Sequence, residues 1–198
     1  TYILLVLLGI GCASTEDAVQ QDHAVSSTGS NERVTELIST LPARNHDETQ
    51  WVFSKLIAEG PSGVKALMDM LVAPGNGNDT QARLAINGLT KFVSRSGAES
   101  EQRMYERALL DGLQSDYHYA VNRFLMEQLE LVGSNEAVPV LSTFIGKQYT
   151  NEPAVHALRS IHTGQAEQAL VEALSNGKGD NQPAVVLKAL GDMEVTLA

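Results

Sequence analysis

The chain is poor in three kinds of residue that common functional sites require: cysteine, aromatic residues and basic residues. A single cysteine among 198 residues excludes an intramolecular disulfide and a zinc site built from paired cysteines. Aromatic residues make up only 5% of the chain, which, together with frequent alanine and leucine, favours packed helices over a β-sandwich. The 14 basic residues face 24 acidic ones, so we do not expect a nucleic-acid-binding groove.

Recognisable catalytic and metal-binding motifs are also missing from the sequence. The five histidines form no HExxH pair, and the spacing of His156 and His162 puts them on different faces of a helix. The segment Gly75-Asn-Gly77 is not followed by the Lys-Ser/Thr of a phosphate-binding loop. We therefore expect a protein that is not an enzyme and that carries no metal and no cofactor.

The N-terminus is an apolar run that ends in the one cysteine, Cys12. The run is too short to span a bilayer and has the length of the central region of a signal peptide. No Met or basic residue precedes it, so we expect the first residues of the signal to be missing. A cysteine directly after Gly11 resembles the lipobox of bacterial lipoproteins. That resemblance implies a signal peptide over residues 1–11 and a lipidated Cys12; an ordinary secretory signal with an incidental or buried cysteine is the alternative.

Residues 12–30 are small, polar and without period, a composition typical of a flexible tether. Ala13 stands where an Asp would resemble the inner-membrane retention signal. The lipoprotein resemblance therefore predicts anchoring in the bacterial cell envelope, at the outer membrane.

From residue 31 onward, one helical pattern recurs. Asp79 or Asn78 can cap a helix, an apolar stripe follows at three- and four-residue steps, and Gly97 can supply the left-handed residue that ends it. Five glycines close such stretches: Gly60, Gly97, Gly133, Gly164 and Gly191. Shorter apolar helices lie between them, over 64–71, 105–113, 137–145 and 166–174. Repetition on this scale predicts a solenoid of stacked units.

Two segments carry a family resemblance. Residues 133–145, with Ala137-Val-Pro139 leading into an apolar helix, and residues 151–161 resemble the first and second helices of a HEAT repeat. The resemblance covers residues 31–198 and implies an all-α fold, a right-handed superhelix of about five stacked helical hairpins. Because residues 191–198 resemble the start of a further helix, we expect the natural chain to continue beyond Ala198.

The HEAT resemblance also implies a binding surface, since the second helices of such repeats line the concave side. The polar residues that it places there are Arg83, Asn87, Arg123, Glu127, His156 and Arg159. Their mixed charge suits a protein or peptide partner better than a polyanion. The cluster Tyr117-His118-Tyr119 is either a binding hot spot or a first helical turn packed on the preceding repeat.

Three functions follow from these expectations. The first is a non-catalytic scaffold, held at the membrane by its N-terminal lipid, that binds a protein or peptide and no nucleic acid. The second is an accessory or spacer module that precedes a catalytic domain, such as a carbohydrate-active one, in a longer envelope protein. The third, an enzyme within the repeats, lacks a recognisable site.

Overall fold

A computed structural model describes residues 29–177 and 183–194, and within these ranges the chain is helical and contains no β-strand. The predicted all-helical class is therefore confirmed for this part of the chain. The helices are α1 (29–39), α2 (His46–Ala58), α3 (Gly60–Asp69), α4 (Thr80–Val93), α5 (Glu99–Leu113), α6 (Tyr119–Val132), α7 (Val138–Ser142), α8 (Asn151–Ile161), α9 (Gly164–Ser175) and α10 (Pro183–Asp192). A 3-10 turn, Asn135–Ala137, leads directly into α7.

The helices from α2 onward pack in two layers. In the even layer, helices α2, α4, α6, α8 and α10 contact one another in that order. In the odd layer, α3 contacts α5, α5 contacts the 3-10 turn before α7, and α7 contacts α9. Helices consecutive in sequence also pack across the layers from α2 to α6 and again from α7 to α10, as stacked helical hairpins require. The right-handed superhelix remains a prediction.

The predicted boundary at residue 31 falls inside the first helix, since residues 29 and 30 are already helical. The expected signal peptide and Cys12 lie outside the described residues, as does nearly all of the expected tether. No helix within the two described ranges is both long and apolar enough to cross a bilayer.

The apolar stripes form one continuous core between the layers. In α4, Ala82, Ile86, Leu89 and Val93 follow three- and four-residue steps and are all buried. Burying a large aliphatic side chain stabilises the fold by about 1.5–3 kcal/mol. Gly88 allows α4 to approach α2 closely. Any larger residue at this position would place its Cβ 2.0 Å from the ring of Phe53 on α2.

Three buried polar side chains tie α4, α5 and α6 together inside this core. The hydroxyl of Thr90 donates to Gln128 Oε1 at 2.8 Å and lies 2.9 Å from the hydroxyl of Tyr105. Tyr105 donates to the carbonyl of Ile86 at 3.1 Å, and Gln128 Nε2 donates to that of Phe124 at 3.1 Å. Burial raises the pKa of Tyr105, so its phenol stays neutral and keeps its proton for this network.

The expected glycine at each helix end is confirmed only in part. Gly60, with a φ of +66°, directly follows the C-cap of α2, whereas Gly97, with a φ of +85°, lies in the turn four residues after the last residue of α4. Gly133 caps α6 with extended backbone instead of left-handed backbone. The assignments of Gly164 and Gly191 as closing residues are wrong, because Gly164 begins α9 and Gly191 lies within α10.

His162 takes the left-handed position that ends α8, with a φ of 49°. Its N–H donates to the carbonyl of Leu158 at 3.2 Å, so the cap geometry is satisfied without a glycine. Thr163 follows in extended conformation as the N-cap of α9, and its hydroxyl accepts from the N–H of Ala166 in the first turn of that helix. His162 and Thr163 therefore complete the turn between the two helices. As a consequence, Gly164 is the first residue of α9.

We expect Thr90→Val to lower the free energy of unfolding by about 1–3 kcal/mol, because Gln128 Oε1 loses its buried donor. Thr35→Val is the matched control, since the Thr35 hydroxyl bonds the carbonyl of Asn31, four residues back, but on an exposed surface. That control is expected to change stability by less than about 0.5 kcal/mol. Urea denaturation followed by circular dichroism measures both. Equal effects of the two substitutions would contradict the stabilising role of the buried network.

A second prediction concerns His162. Because its side chain is exposed and its backbone is left-handed, His162→Gly is expected to raise stability by about 0.5–1 kcal/mol. Gly97→Ala is expected to lower stability by a similar amount, although no atom within 4 Å would obstruct the added methyl group. Thermal denaturation of both variants is the measurement. A loss of stability in His162→Gly would show that this imidazole stabilises the turn.

Candidate partner-binding strip

The six residues predicted to bind a partner lie on one polar face of three consecutive helices of the even layer. We call this face the strip; it comprises Arg83 and Asn87 on α4, Arg123 and Glu127 on α6, and His156 and Arg159 on α8. Asn87 and Glu127 are exposed, and the other four are half-buried. The apolar stripe of each helix fixes this orientation, because it turns the opposite face outward.

Arg83 connects α4 to α6. Its guanidinium lies 4.6 Å from the centre of the Phe124 ring, in a cation–π contact. The same group donates from Nε to Asp79 Oδ2 at 2.9 Å, and the N–H of Val72 also donates to that oxygen, at 3.1 Å. The hydrogen bond from Arg83 lowers the pKa of Asp79. Asp79 therefore closes the loop before α4, while Asn78 accepts from the N–H of Thr80.

Arg123 connects α6 to the segment that precedes α8. Its Nη1 donates to the carbonyl of Tyr149 at 2.9 Å. The ring of Tyr149 stacks on that of Tyr119, with ring centres 4.5 Å apart and planes 25° apart. We call these two residues the tyrosine pair. Tyr119 is 42% exposed and Tyr149 is 51% exposed, so the pair presents aromatic surface to solvent.

Arg159 connects α8 to α10, since its Nη1 donates to Asp192 Oδ2 at 2.9 Å. Each of the three arginines of the strip thus reaches to the next helix, or to the segment leading into it. A surface ion pair of this kind contributes about 0–1 kcal/mol, but it restricts where the guanidinium points. The arginines are therefore part of the framework of the strip, an arrangement that the sequence prediction did not include.

The other three members of the strip are unpaired. The side chains of Asn87, Glu127 and His156 make no hydrogen bond or ion pair with another residue of the described ranges. They stand on α4, α6 and α8 respectively, so each helix of the strip presents one arginine fixed by a neighbour and one unpaired polar group. These unpaired groups are the ones that an incoming partner can engage without breaking an internal contact.

Glu130 lies beside the strip on α6 and is half-buried. Burial raises its pKa, and the like charge of Glu127 raises it further, whereas His156 and Arg159 act in the opposite direction. The net effect is an elevated pKa, which means that the ionised carboxylate is less stable here than in water. Glu130 thus marks the part of the strip where solvent is partly excluded.

A cleft of about 330 Å³ lies between α8 and α10, at the end of the strip. Four charged or titratable residues line it, Glu152, His156, Arg159 and Lys188, together with Ala184, Val185 and Ala189. We call it the α8–α10 cleft. It includes two members of the predicted strip and adds Lys188 and Glu152, which sequence reasoning did not select.

The two layers differ in charge. The even helices contain six acidic and six basic residues, whereas α3, α5, α7 and α9 of the odd layer contain seven acidic and three basic residues. The strip therefore lies on the layer with balanced charge, and the excess of negative charge within the helices lies on the other layer.

The Tyr117-His118-Tyr119 cluster has two predicted roles, a binding hot spot or a helical turn packed on the preceding repeat, and its residues divide between them. Tyr117 packs on the preceding repeat, where its hydroxyl donates to the carboxylate of Asp69 on α3. Burial, and then the Asp69 carboxylate, raise the pKa of Tyr117. Tyr119 faces solvent as part of the tyrosine pair, and His118 caps α6 by accepting from the N–H of Ala120. Of the two tyrosines in the cluster, Tyr119 is thus the one whose ring is available to a partner.

The described ranges contain no group of three or more His, Cys, Asp or Glu residues that could hold a metal ion. The strip offers single hydrogen-bonding and charged groups together with an aromatic surface. Such groups can bind a partner non-covalently, through ion pairs, hydrogen bonds and ring stacking.

Comparison with protein-family models gives no match, and comparison with curated protein sequences gives none either. The HEAT and lipoprotein resemblances therefore remain predictions.

Sequence reasoning missed Tyr149, Lys188 and Asp192. Tyr149 lies in the loop before α8, thirty positions from the residue on which it stacks, and no periodicity connects the two. Lys188 could have been found, because it lies on the polar face of the fifth helix of the same type.

We expect Glu130→Gln to stabilise the protein at pH 7, since the neutral amide avoids the cost of an ionised carboxylate at this half-buried site. An acid with a raised native pKa makes folding less favourable as the pH rises through the ordinary glutamate value of about 4.3. The stability gain should therefore be present at pH 7 and disappear below about pH 4. Urea titrations across this range measure it, with Glu36→Gln, on the exposed surface of α1, as the control. A gain independent of pH would contradict the assignment.

Proposed function

We propose that this protein is a non-catalytic scaffold that binds a protein or peptide along the strip. The observation that carries this proposal is the alternation of fixed and unpaired polar groups on successive even helices. Arg83, Arg123 and Arg159 are held by contacts to the next helix, while Asn87 and Glu127 remain available. A framework that is ordered before binding loses little conformational entropy when a partner arrives.

The charge of the even layer supports a protein or peptide rather than a polyanion. Its helices are electrically balanced, and the chain as a whole has a formal net charge of −10. A nucleic acid or another uniformly anionic polymer would meet overall repulsion with no continuous basic surface to offset it. A peptide can match alternating positive and negative groups one by one.

The tyrosine pair gives the strip an anchor of the kind found at binding hot spots. Exposed tyrosine rings supply large contact area at low cost in conformational entropy, and their hydroxyls bond to polar groups. Arg123 joins the pair to the strip, because its guanidinium holds the backbone of Tyr149 in place. A partner that covers the pair would therefore also meet α6 and α8.

We further propose that the scaffold is anchored in the bacterial cell envelope, at the outer membrane, by lipid on Cys12. Support comes from the position of the one cysteine directly after an apolar run. The intact mass of the protein purified from the membrane fraction of its host tests this. We expect the mass of a chain that begins at Cys12 with its acyl groups. An unlipidated mass would contradict the anchor without touching the binding proposal, and a mass larger by a whole domain would favour the accessory-module alternative.

Site-specific photo-cross-linking tests the binding surface. A benzophenone side chain placed at Asn87 or Glu127 is expected to give one discrete adduct in living host cells. The same group at Gln165, an exposed amide on α9 of the odd layer, is the matched control and is expected to give none. Adding Glu127→Lys to the Asn87 photo-probe should abolish the adduct, because reversal of an unpaired charge at the centre of the strip repels the partner.

Two outcomes would contradict the scaffold proposal. One is cross-linking of equal efficiency from both layers, which would indicate non-specific encounters. The other is an adduct that survives Glu127→Lys, which would place the contact outside the strip.

A further inference from the structure

The α8–α10 cleft differs from the rest of the strip in its charge and its shape. Of its four titratable lining residues, three are the cation-forming His156, Arg159 and Lys188, and one is the carboxylate Glu152. These residues converge from two helices on one concavity of about 330 Å³, a volume that accommodates a side chain.

The geometry points to a specific ligand for this cleft, and this inference rests on the proposed scaffold function: the cleft receives the carboxylate of an aspartate or glutamate side chain of the bound peptide. Its main contacts are the ammonium of Lys188 and the guanidinium of Arg159, with His156 as a third donor.

The cations have capacity for such a ligand. Lys188 is exposed and forms no ion pair with another residue of the described part of the chain. Arg159 has five N–H donors, and its contact with Asp192 occupies only Nη1. Asp192 thereby orients the guanidinium and leaves donors for a second carboxylate. Charge-assisted hydrogen bonds of this type are roughly twice as strong as neutral ones.

The apolar part of the lining fits the stem of an acidic side chain. Ala184, Val185 and Ala189 provide a non-polar surface, and Ala189 is buried. The methylene groups of Asp or Glu can contact this surface while the carboxylate meets the cations. The tyrosine pair is also close along the chain, because Tyr149 precedes Glu152 by three positions. A peptide that stacks on the pair can thus continue into the cleft.

Among the lining residues, Glu152 is the one that repels an acidic ligand. Its substitution therefore predicts in which direction the affinity for such a ligand should change. Removing its charge should strengthen binding of a carboxylate, whereas reversing the charge of Lys188 should weaken it. A cleft that bound a basic or neutral side chain would respond in the opposite direction or not at all. The two substitutions therefore distinguish the class of ligand.

The experiment uses the full chain and a phage-displayed library of random dodecapeptides as the probe. We expect the selected peptides to share an Asp or Glu at one position. A fluorescent copy of the best peptide is then titrated by fluorescence anisotropy. Lys188→Glu should raise its Kd at least tenfold, and Glu152→Gln should lower it two- to threefold. Lys91→Glu, an exposed lysine on α4 outside the strip, should leave it within twofold. A peptide with Lys in place of its acidic residue should bind Lys188→Glu better than it binds the wild type.

The outcomes separate this inference from the scaffold proposal. If peptides are selected but their binding is unchanged by Lys188→Glu and Glu152→Gln, the ligand assigned to the cleft is wrong and the scaffold stands. If no peptide is enriched over a blank surface, the scaffold proposal and the cleft assignment both fail. Unchanged thermal melting of each variant excludes unfolding as the cause of lost binding.

Discussion

The fold depends on one constraint: the apolar stripe of each helix is wider than the contact that its sequence neighbour can supply. On α4, Ala82, Ile86 and Leu89 are buried because α2 and α6 of the same layer contact α4 as well as α3 and α5 of the other. A repeat taken alone would leave part of this stripe in water, so stability is shared among neighbours. Stacking therefore fixes the order of the even helices, and that order places the polar residues of α4, α6, α8 and α10 in a row.

The same neighbour-to-neighbour coupling is made by polar groups in two environments. In the core, Thr90, Tyr105 and Gln128 join three helices through hydrogen bonds that water cannot replace. On the surface, Arg83 and Arg159 join successive helices through contacts that water and salt weaken. The core network mainly stabilises the fold, whereas the surface contacts mainly orient side chains. An oriented row of side chains is what a peptide-binding surface requires.

Sequence reasoning predicted the helical class and the positions of the even helices because apolar periodicity is a local signal. It predicted a left-handed glycine at the end of α2, where Gly60 is found, because the left-handed conformation has a strong compositional preference. It failed at Gly164, since His162 adopted the left-handed conformation two residues earlier and the backbone geometry decided the end of α8. It could place Arg83 and Arg159 on the polar face of their helices, but it could not identify their partners Phe124 and Asp192 in neighbouring repeats. Such pairs depend on how the repeats stack, which sequence periodicity does not specify.

Electrostatics acts on two length scales in this protein, and together they restrict the partner. At long range, a chain with a formal net charge of −10 repels acidic molecules, and the acidic odd layer directs that repulsion to one side. At short range, Lys188 and Arg159 attract a single carboxylate within the α8–α10 cleft. A uniformly acidic partner is repelled over its whole length and gains only one favourable contact. A peptide with one acidic residue in the correct position meets little repulsion and gains the same contact. Selectivity therefore arises from the contrast between the overall charge and the local site.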